Sequence, residues 1–152
     1  MHSIARPLAL VLALALPAVA LGTASAQNTD VIAQRQQLMK NNGKAAKAAN
    51  ALIKGETPFD AAAALQVFQV MNDDGKKFAT LFPEDSKTGG KTEASPAIWE
   101  KPAEFKAAND KFIADTQAGI DAKPADVDAF KAAFTKVAAN CQSCHQQFRA
   151  KD

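Results

Sequence analysis

The chain has 152 residues, enough for one modest domain, and carries 18 basic residues against 16 acidic ones for a net charge of +2. Those charges are interspersed, with no basic run of the kind that grips nucleic acid. The longest apolar run falls short of the ~20 residues that a membrane-spanning helix needs, which argues against a membrane protein.

That run lies at the N-terminus. MHSIARPLALVLALALPAVALGTASA places His2 and Arg6 before about 14 apolar residues, Leu8 to Leu21, and closes on Ala24-Ser25-Ala26. This is the form of a secretory signal peptide, so residues 1–26 are expected to be cleaved and are set aside from the fold. The mature chain is then residues 27–152, a soluble exported domain of 126 residues, and loss of Arg6 leaves its charge at +1.

Four amphipathic helices follow, with no strand-like alternation. In the first, Asp30 can cap a run whose apolar or small positions are Val31, Leu38, Asn42, Ala45, Ala49, Leu52 and Ile53, with Arg35 the exception on the same stripe, and Gly55 is a natural stop. The second is expected to start at Thr57-Pro58-Phe59-Asp60, with Thr57 as cap and Pro58 in the first helical position. Its stripe is Ala61, Leu65, Phe68 and Met71 or Asn72, and it weakens near Gly75. Residues 83–96, PEDSKTGGKTEASP, read as the longest loop. A third helix follows Pro102, with Phe105, Phe112, Ile113 and Ile120 on one side, and is broken at DAKP, residues 121–124. The fourth has Val127, Phe130, Phe134, Val137, Cys141, Cys144 and Phe148 at alternating steps of three and four, which puts both cysteines on the buried stripe and His145 beside it. Together these predict an all-α protein, an antiparallel four-helix bundle.

The chemistry concentrates in Cys141-Gln-Ser-Cys144-His145. A structural zinc needs four ligands, and the mature chain has only these two cysteines and this one histidine to offer. A thioredoxin-like dithiol belongs at a strand-to-helix turn, and no strand is expected here. A disulfide between residues one helical turn apart constrains little. Covalent haem c uses every member of the set: both thiols add to the haem vinyl groups as thioethers, and the adjacent His145 binds the iron. With His2 removed no second histidine remains for the sixth iron position, and only Met39 and Met71 could supply a thioether, unless both are ordinary core residues. Arg35 lies one turn before Met39. As a buried cation it would need a partner, for which a haem propionate is suited, whereas on the surface it would simply be solvated. No nucleophile–base constellation and no distal histidine is present, so the reading is of a non-enzyme.

The whole mature chain resembles the cytochrome c′ family and its low-spin cytochrome c-556 branch. The resemblance is carried by RQQLMK (35–40), KGETPFDAA (54–62), LFPEDS (81–86), SPAIWEKPAEFK (95–106) and CQSCHQQFR (141–149). It implies a left-handed four-helix bundle, a bacterial periplasmic address, one covalent haem c, and homodimers paired through the first two helices. Carried over by position, Cys141 and Cys144 are the thioether sites and His145 the axial ligand. Arg35 and Gln36 are haem contacts on the first helix, Glu93 is a further haem contact in the loop, and Arg149 flanks the proximal face. Met39 takes the distal position. There the family either ligates the iron through methionine, which suits electron transfer to redox partners, or leaves it open to a diatomic gas such as nitric oxide or carbon monoxide. Ligation by Met39 is the reading taken; the open, gas-binding site is the alternative.

Overall fold

In the computed structural model, which describes residues 28–151, the regular elements are α1 (Thr29–Ile53), α2 (Ala61–Phe78), a 3-10 turn (Glu84–Ser86), α3 (Ala97–Glu100), α4 (Pro102–Ala122) and α5 (Val127–Phe148). The four long helices are those that the apolar spacing predicts. Among the described residues there is no strand, only an isolated antiparallel bridge between Ala94 and Arg149. The expected leader, residues 1–26, lies outside the described residues.

The helix starts depart from expectation in two places. α1 is capped by Asn28, whose side chain accepts from the Val31 N–H at 3.2 Å, while Asp30 sits inside the first turn, where its charge complements the helix dipole. α2 is capped by Asp60, which accepts from the Ala63 N–H at 2.6 Å, so Thr57 and Pro58 remain in the connecting loop. The carboxylate is the better cap, and the Phe59 ring is drawn out of helical register to pack 6.3 Å from Phe130. The other ends follow the sequence signals. Gly55, at φ +70°, supplies the left-handed residue just after α1; Pro102 opens α4; Asp126 caps α5 through the Ala129 N–H at 2.8 Å.

α1 packs against α2 and α5, and α4 packs against the same two helices, so α1 and α4 occupy opposite corners of a four-helix bundle. The register of α2 against α4 is antiparallel: Phe68 faces Gly119, Asn72 donates to Thr116 Oγ1 and the Ile113 carbonyl at 3.0 Å each, and Asn109 donates to the Gly75 carbonyl at 3.1 Å. These helices approach closely because glycines accept rings. A Cβ on Gly119 would lie 2.7 Å from Phe68 ring carbons, and one on Gly75 would lie 3.0 Å from Phe112. That close approach corrects the stripe expected on α4. Of the four expected residues only Phe105 is buried, and the inward line continues through Asn109, Thr116 and Gly119, leaving Phe112, Ile113 and Ile120 half-buried.

The main core gathers Ala45, Ala49 and Leu52 of α1, Ala64, Val67, Phe68 and Met71 of α2, and Phe130, Phe134 and Val137 of α5. A second cluster, at the end of the bundle that carries Cys144, is built on Ile98, Phe105 and Phe148 with Phe78, Phe82 and Trp99 against them. No helix among the described residues is long and apolar enough to cross a membrane.

Candidate covalent-haem site

Cys141, Cys144 and His145 lie in the last two turns of α5. Both cysteines are free thiols. The expectation that both sit on the buried stripe is corrected: Cys144 is half-buried against the aromatic cluster, but Cys141 is exposed, and Asn140 takes the inward position in its place. Cys141 keeps the angular position of the stripe, since Phe148 two turns further on is still buried, so its exposure reflects what the neighbouring elements place over it and not the helix pattern. Asn140 is fixed there by donating to Asp115 Oδ2 at 2.7 Å; the same oxygen receives Lys111 Nζ at 2.6 Å.

The strap of chain between α2 and α3 is sewn to the end of α5. Ser95 N–H donates to the Phe148 carbonyl at 3.0 Å, and Ala150 N–H donates to the Glu93 carbonyl at 2.8 Å. Above this bridge the Glu93 carboxylate meets Arg149 Nε at 2.7 Å. Both charges act on His145. Desolvation lowers the imidazole pKa most, Arg149 lowers it further, and Glu93 opposes them. The net direction favours neutral imidazole, the form that ligates iron. Desolvation also raises both thiols above the usual cysteine range, with Cys141 adding to the shift of Cys144.

The strap is also held along its length from α1. Arg35 is 4 % exposed. Its Nη1 donates to the Leu81 carbonyl at 3.0 Å and Ser86 Oγ at 2.9 Å; its Nη2 donates to the Ser86 carbonyl at 2.9 Å and Thr92 Oγ1 at 3.1 Å. The guanidinium also lies 4.7 Å from the centre of the Phe82 ring and 5.8 Å from that of Trp99, whose Nε1 donates to the Phe82 carbonyl at 3.0 Å. The solvated reading of Arg35 is therefore excluded. Gln36 Nε2 reaches the Lys91 carbonyl at 2.6 Å. Met39 follows one turn after Arg35 and is 36 % exposed, while Met71 is 1 % exposed inside the main core.

The structure thus brings Glu93, Arg149 and His145 together, and Arg35 and Gln36 hold the strap from Leu81 to Thr92, the residue before Glu93. Ser86, Thr92 and Trp99 were missed as parts of this arrangement. Ser86 and Trp99 fall within distinctive stretches, LFPEDS and SPAIWEKP, but nothing in the sequence names Arg35 as the partner of Ser86 or Thr92, which lie more than 50 positions away.

A free cysteine pair one turn apart, with a neutral imidazole directly after it, fits covalent haem c. Among the described residues no three His, Cys, Asp or Glu side chains converge to hold a bare metal ion. A helical bundle with this motif near the end of its last helix defines a monohaem c-type cytochrome of the bundle class.

The chain belongs to the Cytochrome C′ family, whose sequence profile matches residues 30–149. It is 46% identical over 132 residues to a cytochrome c′ from Rhodopseudomonas palustris, covering 86% of this chain and 88% of that one. A solved cytochrome c′ structure from Rhodopseudomonas palustris superposes with a TM-score of 0.77 at 44% identity, covering 82% of this chain and 99% of that one. A cytochrome c-556 from Agrobacterium fabrum is 37% identical over 120 residues, covering 79% and 81% of the two chains. The nitric oxide complex of a cytochrome c′ variant from Alcaligenes xylosoxidans shares the fold at 28% identity and a TM-score of 0.71, covering 83% of this chain and 98% of that one. The protein is a four-helix haem c cytochrome of this family.

Proposed function

We propose that the protein is a periplasmic electron carrier rather than an enzyme, with Cys141 and Cys144 as thioether sites, His145 as proximal ligand and Met39 as sixth ligand. The haem iron supplies one-electron redox chemistry, and methionine ligation raises its potential and closes the site. The observation that carries this reading is the contrast between the two methionines. Met71 is consumed by the core, whereas Met39 is exposed on α1, one turn from Arg35. Arg35 and Gln36 position the strap; the Nη donors of Arg35 are taken up by Leu81, Ser86 and Thr92, so the haem-propionate partner expected for Arg35 is replaced by strap oxygens and its contribution is a buried positive charge. Glu93 and Arg149 hold the His145 end.

The visible spectrum of the purified holoprotein tests this. A reduced low-spin haem gives sharp, split bands, and Met39→Ala should convert them to a broad high-spin band. Broad bands in both oxidation states of the unaltered protein would overturn the reading, as would a Met39→Ala variant that stayed low-spin.

A second reading, capture of a diatomic gas at a five-coordinate iron, is favoured by the relative from Alcaligenes xylosoxidans that carries nitric oxide. In that case reduced protein should bind carbon monoxide rapidly without displacing Met39. The homodimer implied by the family resemblance would use the shallow groove between α1 and α2, where Ala48, Ala63 and Val70 offer apolar surface between Lys44, Asp73 and Lys77.

A further inference from the structure

Charge is distributed unevenly over the four corners of the bundle. α1 carries Arg35, Lys40, Lys44 and Lys47 against the single acid Asp30. α4, at the opposite corner, carries Glu104, Asp110, Asp115 and Asp121 against Lys106 and Lys111. The lysines of α4 are also neutralised locally: Lys106 pairs with Asp110 at 2.5 Å and Lys111 with Asp115 at 2.6 Å, while Lys101, just before the helix, meets Glu104 at 3.7 Å. On α1 the pattern is reversed. Lys40 and Lys47 lie seven residues apart on one face, both exposed, and neither forms an ion pair among the described residues. Lys91 extends this face from the strap, because its carbonyl is held by Gln36, one turn before Lys40. It too is exposed without an ion pair among the described residues.

A protein whose net charge is close to zero but whose opposite corners carry opposite signs is oriented by a charged partner before contact. The basic corner adjoins Met39, the methionine placed next to the iron in the function proposed above. We propose that Lys40, Lys47 and Lys91 form the docking face for an acidic surface of a redox-partner protein, an inference that rests on the electron-carrier reading. Exposed, flexible lysines suit brief docking: they speed encounter through their field without the desolvation cost of a tight interface, which lets the partner leave after the electron has passed. A negatively charged membrane surface is the competing occupant. It is disfavoured because the face also presents Gln36 and Gly43 and no apolar side chain beyond Met39 that could insert between lipids.

The test compares two charge-matched variants of the haem-loaded protein, Lys40→Gln/Lys47→Gln/Lys91→Gln and Lys101→Gln/Lys106→Gln/Lys123→Gln. Calorimetric titration with poly-L-glutamate at low salt should be weakened roughly tenfold by the first and little by the second. In stopped flow, one electron passes from the reduced haem iron to hexacyanoferrate(III), an anion, or to tris(phenanthroline)cobalt(III), a cation. The first variant should slow the anion severalfold and leave the cation unchanged or faster. Equal effects of the two variants in both measurements would overturn the docking face. So would binding of the unaltered protein to phosphatidylglycerol vesicles at physiological salt without binding to poly-L-glutamate. Slow reaction with both reagents sinks the carrier reading instead, and the calorimetric arm then decides the docking face by itself.

Discussion

The two buried regions of this bundle are made by different means. The main core is assembled from helices alone: alanines of α1 and α2 let the helices approach, and Phe68, Phe130 and Phe134 fill the space, with Phe68 and Phe130 meeting edge to face at 5.3 Å. The haem end is assembled from loops and helix ends. Phe82 of the strap stands 4.7 Å from Phe105 and 5.9 Å from Trp99, Phe105 stands 5.3 Å from Phe148, and the arrangement is fastened by the buried charge of Arg35. The first region has the short-range logic of helix packing. The second depends on contacts between segments far apart in the chain, and it is where the chemistry sits. Apolar burial thus holds the first region together, and directed hydrogen bonds from Arg35 hold the second.

The largest expected effect tests the separation directly. Phe68→Ala should cost about 3–5 kcal/mol in denaturant unfolding, since the ring is fully buried and fills the hollow over Gly119. The folded fraction should keep the unaltered haem spectrum; a changed spectrum would mean that the two regions are coupled.

Arg35→Lys should act on the other region. It keeps a positive charge but loses the planar fork that serves Leu81, Ser86 and Thr92, leaving buried oxygens short of donors. A loss of about 2 kcal/mol is expected, accompanied by faster amide exchange across residues 81–92 and little change within the main core. Uniform acceleration of exchange would show that Arg35 supports the whole bundle rather than the strap.

The smallest effect concerns Asp74, which borders the groove between α1 and α2. It is 5 % exposed, and its Oδ2 has no hydrogen-bond partner. Burial raises its pKa; Asn41 and Lys77 oppose that shift, and Asp73 adds to it. Folding therefore favours the protonated acid, so ionised Asp74 destabilises the fold as pH rises from its unfolded pKa to its higher folded one, and the penalty persists above that. Asp74→Asn should thus gain about 1 kcal/mol at neutral pH. The gain should vanish below the ordinary carboxylate range. Equal gains at acid and neutral pH would show that the carboxyl's charge is not the cause.

The sequence by itself determined the four long helices, through apolar residues at steps of three and four, and the covalent-haem chemistry, through Cys141, Cys144 and His145 as a complete and otherwise unpartnered set. These are local patterns, and local patterns survive in any tertiary context that buries one face of a helix. Only the tertiary structure decided that Asn140 is buried and Cys141 exposed, because α4 supplies Asp115 as a partner for Asn140 while no described neighbour covers Cys141. It alone set the inward face of α4, where Gly119 and Thr116 answer the rings and amides of α2. It also decided what Arg35 does. A buried guanidinium takes whatever acceptors the fold delivers, and the strap delivers them from positions that no helical period connects to α1.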